Sequence, residues 1–518
     1  MTKKMLCGLL SVTVAVSILS GCTGEKKAKK ANNEETLTYW VRIDPNLSST
    51  TTTLGESEYG KTLMERTGVR VNYIHPPVSQ EKEQFNLMIA SKELPDIVEC
   101  NWSEFPGGPE KAINDGYIIN LNDIMEKDSP NLKNFLEANP QYKSDLKTDS
   151  GQYFCYPFIR GDDSLLTAAG IALRGDWLEE LKLDIPETID EWYNVLKAFK
   201  EKKNATAPLS FTLSNVLDWG LFSGAYGATK SFYVDGDVVK FGGTEPGFLE
   251  FLKTFNKWYN EGLIDRSFMT NDSTTLDSKI LNGNCGATPL TIGGGIGRIS
   301  AAAKGKVDGF KLVPAKYPTL KKGERPKFGQ VSLPINGIGA AITTKCKSYE
   351  TAAKLLDYGY GEEGHILNNF GIEGKSFKMV DGYPTYTDEI MNNPDGLSIT
   401  AAMAKYLKAY ESGPFVQDKR YMEQYAQLPE QKEALKIWPD TDAIEHAMPL
   451  VYVLQDETSE LATITTDITT YQDEMIAKFI MGVESIEKFE EYVKTIESLG
   501  LQRALEIKQS ALERFNNR

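Results

Sequence analysis

Histidine is scarce in this chain: His75, His365 and His446 are the three in 518 residues, each isolated from the others. A zinc site needs several nitrogen or sulfur donors brought together, so this shortage argues against zinc chemistry. Cysteine is sparse too, with six residues and no C-x-x-C. Cys100, Cys155, Cys285 and Cys346 are widely separated and read as small buried apolar side chains, not as a disulfide framework. Basic charge is in deficit: 57 Lys and Arg stand against 72 Asp and Glu, a formal charge of −15. That balance excludes nucleic acid as a partner, since phosphate binding needs a basic face. Catalytic signatures are missing as well. There is no G-x-S-x-G and no H-E-x-x-H, and with so many acids an accidental carboxylate pair does not mark a glycoside hydrolase. Gly374-Lys-Ser376 ends like a phosphate-binding loop, but Asn369 stands where that loop requires glycine. The cluster Gly293-Gly-Gly-Ile-Gly297 departs from the dinucleotide pattern at Ser300 and reads as a flexible loop.

What is present begins at the N-terminus. Lys3 and Lys4 precede a mostly apolar run from Leu6 to Leu19. The run suits a signal peptide and falls short of the roughly 20 residues of a membrane span. Leu19-Ser-Gly-Cys22 follows and resembles the bacterial lipoprotein lipobox. The resemblance implies that residues 1–21 are removed, and that Cys22 is acylated and becomes the mature N-terminus. The protein is then expected on the extracytoplasmic face of the cell membrane, held by lipid. Residues 22–35, with four lysines and nothing that builds a core, read as a disordered tether.

From Leu37 the pattern becomes that of a folded α/β protein. Thr36–Val41, Val69–Ile74 and Leu94–Val98 read as strands, separated by helical stretches at Gly60–Arg66 and 81–92. Alternating strand and helix predicts a mainly parallel sheet flanked by helices. Thr188 and Glu191 stand at capping-box spacing ahead of Trp192, Val195, Leu196 and Phe199, one apolar helix face. Asp235-Gly236 predicts a hairpin turn. The C-terminal third reads as strongly helical.

Arg174-Gly-Asp-Trp-Leu, Pro186-x-Thr-x-Asp-Glu-Trp192, Tyr259-x-Glu-Gly-Leu-Ile264 and Asn369-Phe-Gly-Ile-Glu-Gly374 together resemble the extracellular solute-binding lipoproteins of bacterial ABC transporters. They are most similar to the subgroup that includes alginate-oligosaccharide-binding proteins. The resemblance implies a two-lobed, type II periplasmic-binding fold, each lobe a sheet flanked by helices. Its expected plan is lobe 1 at 36–157, lobe 2 at 158–330, a return to lobe 1 at 331–400, and a helical part of lobe 2 at 401–518, with hinges near 155–160 and 330–338. It further implies a monomeric receptor that is not an enzyme, needs no cofactor, and hands a solute to permease subunits. An oligosaccharide is the expected ligand, with a peptide or other solute, or a glycoside hydrolase activity, as alternatives. Relatives that hold calcium carry a loop resembling Asp-x-Asn-x-Asn-Gly-x-x-Asp-Glu after the Trp192 helix. This chain has Glu201-Lys-Lys-Asn-Ala-Thr-Ala-Pro208 there, so no calcium is expected at that position.

Sugars present flat apolar faces and many hydroxyls, so their sites combine aromatic rings with planar polar groups. Arg42, Asp44, Glu99 and Trp102 fall beyond the carboxyl ends of predicted strands, where ligands of α/β sheets bind. Trp40 ends the first strand, while Trp219 and Trp438 sit in loop-like surroundings. These seven are the candidate ligand-binding residues. Trp192 and Trp258, on amphipathic helices, are expected in the core.

Overall fold

The computed structural model describes residues 36–518, so Cys22, the signal segment and the tether lie outside the described residues. The chain lays down β1 (Thr36–Trp40), β2 (Arg70–Ile74), β3 (Ile97–Asn101) and β4 (Tyr156–Arg160). It then builds β5 (Ala169–Arg174), β6 (Ala207–Leu209), the hairpin β7 (Phe232–Asp235) and β8 (Val238–Phe241), β9 (Cys285–Thr291) and β10 (Leu312–Ala315). It returns as β11 (Ile338–Ile342), a second hairpin of β12 (Phe377–Val380) and β13 (Tyr383–Tyr386), and β14 (Phe415–Gln417). Two principal sheets result, ordered β14-β4-β11-β3-β1-β2 and β10-β5-β9-β6. Each anchors its own large apolar core, and these are the two lobes.

In each sheet all strands but one run in the same direction. The reversed strand is β11 in the first lobe, antiparallel to β3 and β4, and β5 in the second, antiparallel to β9 and β10. Both are the strands on which the chain arrives from the other lobe. Strand–helix–strand crossovers within a lobe enforce parallel pairing, and a strand entering from outside is free of that constraint.

Local signals hold where the sequence places them. Thr188 Oγ1 accepts the Glu191 N–H at 3.3 Å, and Glu191 Oε2 accepts the Thr188 N–H at 3.2 Å, closing the capping box. The helix Ile189–Lys203 buries Trp192, Val195, Leu196 and Phe199 and ends at Asn204 in the left-handed conformation. β6 begins three residues later, at Ala207. Gly236, with φ +62°, turns the β7–β8 hairpin. The helices Gln455–Met481, Phe489–Ser498 and Leu501–Asn516 make up most of the C-terminal part.

Three boundaries differ from expectation. Tyr156–Arg160 is a strand buried between β11 and β14 in the first lobe, not a hinge. Its run of aromatic and aliphatic side chains is used as central-strand core, and the crossing starts at Gly161. Residues 401–417 also belong to the first lobe: β14 pairs with β4, and Ala404 and Val416 join the first core. The connecting segments run side by side, with Ser332 donating to Leu166 O at 2.8 Å and Gln330 Oε1 accepting the Ala168 and Ala169 N–H groups. Finally, Ile292–Gly297 is a wide helical turn, not a loose loop. A side chain at Gly293 would collide with the Tyr425 ring, so glycine there serves close packing.

Candidate functional site

β1 and β3 are adjacent parallel strands, with Tyr39 opposite Ile97 and Trp40 opposite Val98. Where their carboxyl ends leave the sheet, a cavity of about 450 Å³ opens, lined by Trp40, Arg42, Phe85, Glu99, Asn101 and Ser412 among others. Glu81, Lys82 and Glu104 stand on its rim. The aromatic rings and planar polar groups expected of a sugar site therefore meet at the predicted strand ends.

Behind the cavity lies a network of alternating charge. Arg42 Nη2 donates to Glu411, and Lys408 Nζ lies 3.2 Å from the other Glu411 oxygen. Glu99 is 8% exposed and accepts the Tyr39 hydroxyl at 2.6 Å. Glu99 and Lys408 both line a second chamber of about 30 Å³ with Tyr39, Tyr59, Tyr73 and Asn368, a volume on the scale of one water. Burial pushes the Glu99 carboxyl above its ordinary range, and the Lys408 ammonium and Tyr39 hydroxyl pull it back part of the way. Burial alone would depress Lys408, but the Glu411 and Glu99 carboxylates overcome it and hold the ammonium above its usual value. Buried together, the ammonium and the carboxylates offset part of what each lost with water.

The sequence-predicted residues divide. Trp40, Arg42 and Glu99 come together in the cavity, Trp40 with 7% exposure. Asp44 does not line it: its carboxylate caps the helical turn Pro45–Ser48, accepting the Asn46 and Leu47 N–H groups at 2.7 and 3.3 Å. Trp102 corrects the expectation of an open stacking ring. It is 1% exposed, edge-on to Phe85 at 5.8 Å and beside Phe105, as a wall of the core behind the site. Trp438 is a second correction, since it is wholly buried in the second lobe and its Nε1 donates to Ala315 O at 3.0 Å. Both sit where the chain turns, which gave them a loop-like context in sequence. The larger demand for apolar volume takes them inward. Trp219 is half-buried and lines a separate recess of about 270 Å³ on the second lobe, with Tyr233, Phe328, Gln330 and His446.

Lys408, Glu411 and Ser412 carry no local signal of their role. Glu81, Phe85, Asn101 and Glu104 are missed for a milder reason. Asn101 and Glu104 sit on either side of Trp102, at the end of β3 and in the turn after it, and Glu81 and Phe85 lie on the helix Glu81–Ser91.

His75 locks the end of β1 in place. Its Nδ1 is 2.8 Å from Val41 O, which can only accept, and its Nε2 is 3.1 Å from the Leu54 N–H, which can only donate. The ring is therefore the neutral Nδ1–H tautomer. Burial lowers its pKa, chiefly by penalising the charged form. A depressed histidine contributes stability that is complete above its unfolded value of about 6.5 and is lost as pH falls through it. Unfolding free energies from urea titrations are therefore expected to fall as pH drops from about 7.5 to about 5, with a contribution from this group. His75→Asn should remove that component; an unchanged slope would show that the ring is not held neutral.

Residues 48–366 match the sequence model of the bacterial extracellular solute-binding proteins. Lipoprotein LipO of Bacillus subtilis is 26% identical over 428 residues, spanning 79% of this chain and 81% of its own. The fructooligosaccharide ABC transporter substrate-binding protein FusA of Streptococcus pneumoniae is 25% identical, over 88% of this chain and 86% of FusA. Among solved structures, the alginate-binding protein AlgQ2 without calcium ion is similar at a TM-score of 0.73 and 25% identity, covering 92% of this chain and 98% of that one.

Proposed function

The chain belongs to the bacterial extracellular solute-binding proteins, and from that premise we propose that it is the lipid-anchored receptor of an ABC importer for an oligosaccharide. The observation that carries this reading is the cavity at the carboxyl ends of β1 and β3. There Trp40 and Phe85 supply apolar surface, and Arg42, Glu99 and Asn101 supply planar hydrogen-bonding groups. Such a mixture matches a sugar's apolar faces and hydroxyls. Relatives whose names specify fructooligosaccharide, polygalacturonan or rhamnogalacturonan, and melibiose, raffinose or stachyose support it. Cys22 carries the lipid, residues 22–35 give reach, and the folded part, a monomer, delivers solute to the permease without altering it. Binding favours a closed arrangement of the lobes about residues 161–168 and 330–337, a population shift that follows from contacts made in the closed state alone.

A thermal-shift screen of residues 36–518 against oligosaccharide and peptide panels tests the reading. A ligand at a hundred times its dissociation constant adds about 2.7 kcal/mol of stability, visible as a raised midpoint. A sugar that raises the midpoint and is recovered intact supports a receptor. Recovery of cleaved sugar, or a response to peptides alone, defeats the proposal.

A further inference from the structure

We infer that this receptor, if the sugar-binding reading above holds, takes a neutral oligosaccharide and rejects acidic ones. The charges around the site are already committed to one another. Five charged side chains line the cavity: Arg42, Lys82, Glu81, Glu99 and Glu104. Three are acids and two are bases, so its wall carries an excess of negative charge. Both bases have carboxylate partners. Arg42 is bonded to Glu411, and Lys82 Nζ lies 4.0 Å from Glu104. Lys408, the buried cation behind the wall, is paired with Glu411 and lines an inner chamber with Glu99. Glu81 accepts the Ser79 N–H at 3.2 Å, a bond that leaves its charge uncancelled.

The recess on the second lobe follows the same rule. Its charged wall residue is Asp218, which shares Lys230 with Asp473 at 2.9 and 3.2 Å. His446 Nδ1 lies 2.9 Å from Val234 O and therefore donates to it. Among the described residues that line either cavity, no arginine or lysine is left without an acid beside it.

A uronate carboxylate entering here meets Glu81, Glu99 and Glu104, and both cations of the wall are already committed to carboxylates. It would have to break an existing ion pair or endure like-charge repulsion. A hydroxyl suffers neither penalty. It donates to a carboxylate and accepts from Arg42, Lys82 or the Asn101 amide, so a wall rich in acceptors suits a ligand rich in O–H donors.

The test is calorimetric titration of the folded part, residues 36–518, at low and moderate salt. The probes are neutral tri- and tetrasaccharides of the gluco, galacto, manno and fructo series. Against them stand galacturonate and mannuronate oligomers of the same lengths and the methyl esters of those acids. A neutral series is expected to bind, each acid to bind at least tenfold more weakly than its own methyl ester, and that gap to narrow with salt. The rim variant Glu81→Gln/Glu104→Gln, both positions at the surface, is expected to narrow it too. An acid that binds as tightly as its ester or tighter overturns the inference and leaves the sugar receptor standing. If no sugar of either class binds while a peptide does, the receptor reading itself has failed and the inference falls with it.

Discussion

Replacing Lys408 by methionine is expected to destabilise the first lobe by about 3–5 kcal/mol at pH 8, the cost of leaving a buried charge without its partner. Lys408 is 6% exposed, is paired with the buried Glu411 carboxylate, and lines an inner chamber with buried Glu99. Methionine keeps much of the volume and removes the charge, so the loss reports electrostatics and not a cavity. Arg42 still neutralises Glu411 in the variant, so the uncompensated anion is Glu99. Burial already raises the Glu99 pKa, and without the ammonium it rises further. A raised carboxylate weighs against the folded state above its folded pKa, and the penalty vanishes as pH falls below the unfolded value of about 4.3. The gap between wild type and Lys408→Met should therefore be widest near pH 8 and close toward pH 4. Urea titrations across that range decide it. A gap independent of pH would assign the loss to packing, and no gap at all would remove the buried pair from the account of stability.

This network marks the limit of what the sequence discloses. Arg42 and Glu99 are legible because they follow from one local inference. Two strands with a helix between them run parallel, and ligands bind beyond their carboxyl ends. Their partners are not legible in the same way. Glu411 reaches Arg42 across 369 residues of chain, and nothing around Lys408-Ala-Tyr-Glu411 says that the chain has returned to the first lobe by then. Asp44 fails for the opposite reason. It does lie beyond β1, but an aspartate followed by Pro45 is also a helix cap, and the cap satisfies two backbone donors that would otherwise go unpaired. The direction of β5 and β11 was likewise hidden. Hydrophobic pattern gives a strand its faces but not its sense, and sense here depends on which lobe the chain is leaving.

Trp438 shows why a tryptophan cannot be assigned to a ligand from its local setting, and it yields the second large prediction. It follows the helix Pro429–Ile437 and precedes Pro439 and Asp440, a polar turn. Yet its ring lies against Gly170 of β5, where a β-carbon would fall on the indole, and its Nε1 is bonded to Ala315 of β10. The side chain thus ties the helix to two paired strands of the second lobe. Trp438→Ala is expected to cost about 3–5 kcal/mol, from lost burial and the cavity left behind. Gly170→Ala alone should cost at least about 1–3 kcal/mol by overpacking. Combined with Trp438→Ala, that methyl enters space the indole has vacated, so the double variant should be no less stable than Trp438→Ala. Such a cycle, with a coupling above about 1 kcal/mol, identifies direct contact. Ligand affinity, measured well below each midpoint, separates the two roles. A core tryptophan leaves affinity per folded molecule unchanged, whereas Trp40→Ala, at the cavity, should weaken it. If Trp438→Ala instead kept wild-type stability and lost the ligand, Trp438 would belong to the binding surface after all. The pairing of Gly170 with an indole would then have to be explained by something other than core packing.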